Sequence, residues 1–406
     1  MSAAGVIEEK IRLITNYYLS DQMAQSHPGE LGALSEGAGS IIAKSLIYSS
    51  STDELLRKTV KDSILSDLDL IYDTIENNTS LAATFSRGLA GTGWLLAYLK
   101  DLQIIDIDLN EFLEDIDEVL NIYLDAMIEA DEFDILHGYM GIGIYFLKLN
   151  KYKQAERIVT ALYNSKIDDG TEIKWKTIEA ESGLPVLNFG LSHGNASILY
   201  FLGKCYSKGV CPAQCLELIN GLFKFFFNNI QDVNVSCSYF PYTTRLKMYD
   251  KQPKPVQDSH LAWCYGDLGV LHTMYLVSGW IENDDISKKV LGMLSWETSR
   301  LDLQSNVIGD DASFCHGAAG VGYLFLNLYN KTGDNNFKKA ASYWFDETVK
   351  MAKYTDECPH GFKFPLMDTI GFNDSVIAGL SGVFACLLSA QSKEMESSWN
   401  ECFFLS

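Results

Sequence analysis

The stretch Cys315-His316-Gly317-Ala318-Ala319-Gly320 sets a thiol beside an imidazole, directly ahead of a glycine pair. An apolar run, Tyr323-Leu324-Phe325-Leu326, comes next and suits a buried helix. The same frame recurs along the chain. Upstream it reads Ser35-Glu36-Gly37-Ala38-Gly39-Ser40, Ser86-Arg87-Gly88-Leu89-Ala90-Gly91, Leu136-His137-Gly138-Tyr139-Met140-Gly141, Ser192-His193-Gly194-Asn195-Ala196-Ser197 and Cys264-Tyr265-Gly266-Asp267-Leu268-Gly269. Downstream it reads Ile377-Ala378-Gly379-Leu380-Ser381-Gly382. The first glycines are 51, 50, 56, 72, 51 and 62 residues apart, so the chain holds seven repeats.

Amphipathic segments lie between the turns. Leu56, Val60, Ile64, Leu68 and Ile71 share one face of 53–77; Phe112, Ile116, Leu120, Tyr123 and Met127 share one of 109–129. Phe337, Ala341, Trp344, Thr348 and Met351 share one of 334–354. Each repeat is therefore one amphipathic helix and one apolar on every side, which must be buried all round. Seven inner helices within seven outer ones satisfy that demand, and the pattern predicts a single all-α domain over 1–406, an α/α toroid. An open helical solenoid would need polar caps at its ends, which the sequence lacks. The small residues of each G-x-x-G are expected to let the inner helices start close to their neighbours. The longest step holds extra material at 231–262, a loop or small β-rich insertion. There Val233–Phe240 alternates like a strand, and Pro241, Pro253 and Pro255 break the remainder of the segment; Thr171–Trp175 is a second short strand.

The chain has 406 residues, 47% of them hydrophobic, and a net charge of −21. Such a charge leaves nothing to neutralise phosphates and argues against nucleic acid as a partner. No run approaches the roughly 18 apolar residues of a membrane span, and the N-terminus carries no apolar signal core. Nine scattered cysteines fit free thiols in a reducing, cytoplasmic setting. Cys211 and Cys215, and the Cys358-Pro359-His360 loop, are read as structural.

Aligned on the first glycine, the position two before it holds Ser35, Ser86, Leu136, Ser192, Cys264, Cys315 and Ile377. The next holds Glu36, Arg87, His137, His193, Tyr265, His316 and Ala378. In a toroid these positions meet at one end of the ring. Cys264, Cys315 and His316, from adjacent repeats, can then share an ion and leave one coordination position open, as in catalytic zinc sites.

Trp263-Cys264-Tyr265-Gly266 and Cys315-His316-Gly317, with Ser192-His193-Gly194 upstream, resemble the motifs of the lanthionine synthetase C-like family, and the seven repeats extend the resemblance over essentially the whole chain. That resemblance implies an α/α toroid with one zinc ion held by Cys264, Cys315 and His316. It implies a bacterial lanthipeptide cyclase, which adds Cys thiols of a dehydrated precursor peptide to its dehydroalanine or dehydrobutyrine residues. His193 matches the family's catalytic histidine and Asp134 its aspartate, which orients His193 or a water. Tyr265 is a candidate donor to the enolate oxygen. His137 falls outside the family pattern and is read as structural. Where many members carry Arg four residues before the first zinc cysteine, this chain has His260, expected to supply that positive charge when protonated. Family members can also join a dehydratase and a peptide exporter, which would bring the enzyme to a membrane. Two other readings are an enzyme adding glutathione to dehydroamino acids and a zinc-stabilised peptide-binding scaffold without catalysis.

Overall fold

All seven glycine turns lead into helices, namely Glu36–Ser50, Leu89–Asp101, Tyr139–Lys148, Asn195–Ser207, Asp267–Trp280, Ala318–Thr332 and Leu380–Gln391. The computed structural model describes residues 3–20, 29–78, 80–179, 183–245, 259–307, 309–366, 369–391 and 398–406. The apolar helices are buried on every side; every residue from Leu89 to Leu99 is buried. Seven more long helices are one-faced: Ala3–Tyr18, Glu54–Asn77, Glu114–Glu129, Tyr152–Ser165, Pro212–Asn228, Asp284–Glu297 and Asn335–Lys350. Glu54–Asn77 buries Val60, Ile64, Leu68 and Ile71, and its start is fixed by Asp53 Oδ1, which accepts the Leu55 and Leu56 N–H groups at 2.9 and 3.2 Å.

The turns have a shared construction. The N–H after the first glycine bonds a carbonyl seven residues back: Leu89 to Ala82 at 2.9 Å, Ala318 to Asp311 at 3.0 Å, Leu380 to Asn373 at 2.8 Å. The second glycine then sits against the same incoming strand of chain. A Cβ on Gly320 would collide with the Phe314 carbonyl oxygen, and one on Gly91 with the Phe85 oxygen and the Ala33 nitrogen. The glycines thus let each helix close onto its own turn first, and only in some repeats onto a neighbour.

The chain divides into two compact units. One comprises residues 1–120, 307–404 and 406. In it Leu380–Gln391, from the last repeat, packs on Glu36–Ser50 from the first, and Ala318–Thr332 packs on both Leu380–Gln391 and Asn335–Lys350. The 3₁₀ helix Ser398–Phe403 lays Trp399 and Phe403 against Phe314; the Phe314 and Phe403 ring centroids are 3.7 Å apart. The other unit is 121–306 with Leu405. Its helices Tyr139–Lys148, Asn195–Ser207 and Asp267–Trp280 pack in succession, backed by Tyr152–Ser165, Pro212–Asn228 and Asp284–Glu297. It carries a two-stranded ladder, Ile167–Asp168 with Ile173–Lys174, and an antiparallel sheet of Thr177–Ile178, Pro185–Asn188 and Thr243–Arg245.

Three local expectations change. Val233–Ser236 is a helical turn, because Asp232 accepts the Asn234 N–H at 3.0 Å and so stabilises a local alternative to the strand. The segment 109–129 breaks at Leu113, which turns its buried face to Leu113, Ile116, Leu120 and Leu124 and leaves Phe112 and Tyr123 exposed. Within 171–175 only Ile173–Lys174 is a strand. Of the 231–262 insertion, residues 246–258, including Pro253 and Pro255, lie outside the described residues.

Candidate active site

In the 121–306 unit, the turns before three inner helices bring four of the expected residues together. His193 Nδ1 lies 2.5 Å from Asp134 Oδ2. The other carboxylate oxygen accepts the N–H groups of Leu136 and His137, both at 2.8 Å, so the carboxylate is held in place. Burial pushes the His193 pKa down, but its bond to Asp134, the Asp134 charge and the nearby Cys264 outweigh that and leave it raised. Tyr265 stands beside His193 with ring centroids 5.9 Å apart. Burial raises the Tyr265 pKa, against hydrogen bonds from the Asn188 and Ser192 side chains, so it stays a neutral phenol. The Cys264 carbonyl accepts the Leu191 N–H at 2.8 Å, which ties the turn carrying His193 to the turn carrying Cys264.

His260 is placed by a residue the sequence reading missed. Tyr242 Oη accepts the His260 backbone N–H at 3.2 Å and also bonds the ring Nδ1. A hydroxyl has one proton and two lone pairs, so Tyr242 can pair with Nδ1 in either protonation state of His260. Tyr242 also meets Tyr265, ring centroids 6.2 Å apart, so His260 connects to His193 through two tyrosines. Below this wall, Arg300 bonds Asp267 and Glu297 at 3.3 and 3.0 Å and the Ser259 carbonyl, pinning the turn that ends in Cys264. His137, read as structural, has its ring 5.6 Å from that of His193. Its position one before a first glycine was the available signal.

In the other unit, the Cys315 N–H bonds the Ile377 carbonyl at 2.9 Å. His316 Nε2 lies 3.2 Å from Asp311 Oδ2. Asp311 is 1% exposed and is itself bonded by the Ser313 N–H and hydroxyl at 2.8 and 2.7 Å. An acceptor on Nε2 favours the tautomer with its proton on Nε2, the form in which Nδ1 can act as a metal ligand. Asp311 was not singled out in the sequence; an aspartate two residues before a serine ahead of Cys-His reads first as a turn former. Cys264 lies in the 121–306 unit, and Cys315 and His316 lie in the other; two thiols and an imidazole are ligands that suit zinc. The Cys358-Pro359-His360 loop is packed internally, its thiol 3.6 Å from His360 Nδ1, and all nine cysteines are free thiols.

Among solved structures the chain is similar to one described as "Nisin cyclase", with a TM-score of 0.71 and 17% identity over 98% of this chain and 96% of that one. That likeness shows the fold, an α/α toroid as the repeats predicted. No curated protein matches in sequence. The family model described as "Lanthionine synthetase C-like protein" matches residues 32–404. With that match spanning all seven glycine turns, the chain belongs to the lanthionine synthetase C-like family.

Proposed function

We propose that this chain is a zinc-dependent lanthipeptide cyclase. It joins Cys thiols of a dehydrated precursor peptide to dehydroalanine or dehydrobutyrine in the same peptide, forming lanthionine and methyllanthionine rings. The observation that carries the reading is the Asp134–His193 pair at 2.5 Å beside Tyr265, in a chain of the lanthionine synthetase C-like family whose turns also carry Cys264, Cys315 and His316. The donor set fits one zinc ion per chain: two thiolates and an imidazole are ligands zinc favours, and three protein ligands leave a fourth position open. When bound there, zinc would lower the pKa of a substrate thiol enough to supply a thiolate near neutrality.

Attack of the thiolate on the β-carbon of the dehydro residue forms the C–S bond and moves the double-bond electrons into an enolate. A proton must then reach the α-carbon. His193 is suited to deliver it: Nδ1 is engaged by Asp134, so Nε2 is the atom left to exchange a proton. Tyr265, kept protonated, can donate to the enolate oxygen. His260, held at Nδ1 by Tyr242, would when protonated stand in for the family's Arg. We place the reaction in the cytoplasm, with a dehydratase and an exporter as candidate partners; no described helix is long and apolar enough to cross a membrane.

The test supplies metal-loaded protein with a dehydrated precursor peptide. Cyclisation leaves the peptide mass unchanged while removing free thiols, so alkylation with iodoacetamide should add fewer groups. Thiols that persist in the presence of zinc-loaded protein would refute the reading. A mass gain from added glutathione, with the peptide thiols intact, would assign the glutathione reaction instead.

A further inference from the structure

The turn that carries Asp134 also carries His137, and the two face His193. Asp134 is anchored through one oxygen by the Leu136 and His137 N–H groups, with the other directed at His193. One ligand atom from each of Asp134, His137 and His193 lies within 4.8 Å of the others. The two imidazole rings are nearly parallel, 16° apart, with centroids at 5.6 Å. His137 is exposed, while Asp134 and His193 are half-buried, so the group can be reached from solvent.

We propose that Asp134, His137 and His193 form a second, thiolate-free site for a divalent transition-metal cation. Two imidazoles and a carboxylate suit zinc, cobalt, nickel or copper. They offer one negative charge against the two of the Cys264, Cys315 and His316 set, so this site is the weaker and fills after the first. Its consequence rests on the cyclase reading. An ion there takes up the His193 and Asp134 groups that would exchange and orient the proton, so an excess of the metal that activates the enzyme also inhibits it.

Cobalt(II) is the probe, because thiolate ligands give it an intense near-ultraviolet charge-transfer band that imidazole and carboxylate do not. Protein stripped with chelator is titrated with cobalt by equilibrium dialysis and absorption. The wild type should bind two ions, one with the band and one without. His137→Ala, at an exposed position, should lose only the ion without the band, and Cys315→Ala only the ion with it. Saturation at a single ion that carries the band, or a His137→Ala protein that still binds both, would overturn the proposal. A bandless ion bound without any thiolate-bound one would leave this site standing and strike the cyclase reading instead. In turnover, excess zinc should inhibit the wild type at least ~10-fold more strongly than His137→Ala, in line with the usual loss on disturbing a metal site. Equal inhibition of both proteins would overturn the inhibitory role.

Discussion

Two side chains divide the labour at His193. Asp134 Oδ2 lies 2.5 Å from His193 Nδ1 and orients the ring; in the proposed reaction Nε2 is the nitrogen that exchanges the proton. Replacing His193 with Asn should leave zinc content unchanged by elemental analysis, yet cut ring formation on the order of 10²–10⁴-fold, the usual worth of a positioned acid–base group. Near-normal turnover in that variant would move the protonation step to Tyr265 or water. Arg300 illustrates a different kind of residue. Its side chain is 8% exposed, between Asp267 and Glu297 at 0%. Burial raises the pKa of both acids, Glu297 the more strongly, and the Arg300 charge opposes this in each. Arg300→Met should therefore cost about 3–5 kcal/mol in denaturant unfolding, because two buried acids lose their cation. A loss below about 1 kcal/mol would show that the two acids do not depend on the Arg300 charge.

At the scale of elements, two terminal segments act on parts of the chain far from them in sequence. The 3₁₀ helix Ser398–Phe403 covers Phe314, the residue before Cys315. Phe403→Ala should destabilise by about 3–5 kcal/mol through the cavity it opens, and should weaken metal retention in a chelator competition. Unchanged zinc release would confine Phe403 to packing. The helix Ala3–Tyr18 places Tyr17 between two buried groups. The Tyr17 hydroxyl donates to Asp374 Oδ2 at 2.9 Å, and its ring is 5.2 Å from that of His360. Burial raises the Asp374 pKa to about 6, so the native state holds a proton the unfolded state has lost, and stability falls as pH rises from about 4 to 6. Burial, helped by Lys10, lowers His360 to about 4, so the native state excludes a proton and stability rises from pH 4 to 6.5. Each effect is on the order of 3 kcal/mol, and they oppose each other. Asp374→Asn should expose a gain in unfolding free energy from pH 4 to 6.5, and His360→Gln a loss over the same window. Urea denaturation at pH 4.5 and 6.5 measures both; parallel shifts in the two variants would contradict this assignment.

For the whole molecule, the proposed ion and the fold are separable. The apolar helices bury their own side chains on every face, so the core does not depend on the metal. Cys315→Ala should release the ion and keep the far-ultraviolet circular dichroism of the wild type. Its unfolding free energy should drop only by the binding linkage, about 4 kcal/mol where free zinc exceeds Kd a thousandfold. Loss of helicity on removing the ion would make the zinc structural. The charge of −21 is carried by a surface with no described span of membrane-crossing length.

The sequence by itself determined the helices, their pairing into seven repeats and the shared turn positions of Cys264, Cys315, His316 and His193. Those features are local or periodic: an all-apolar helix can only be buried, and a G-x-x-G frame marks where each one begins. Asp134 and Tyr265 came from the family resemblance, and the structure puts both against His193. Tertiary packing alone decided the partners that complete the site. Tyr242 reaches His260 from 18 residues away, and Asp311 turns the His316 ring. His137 meets a histidine from the next repeat. Such pairings depend on which turn faces which once the helices are packed, and no spacing within a single repeat encodes that.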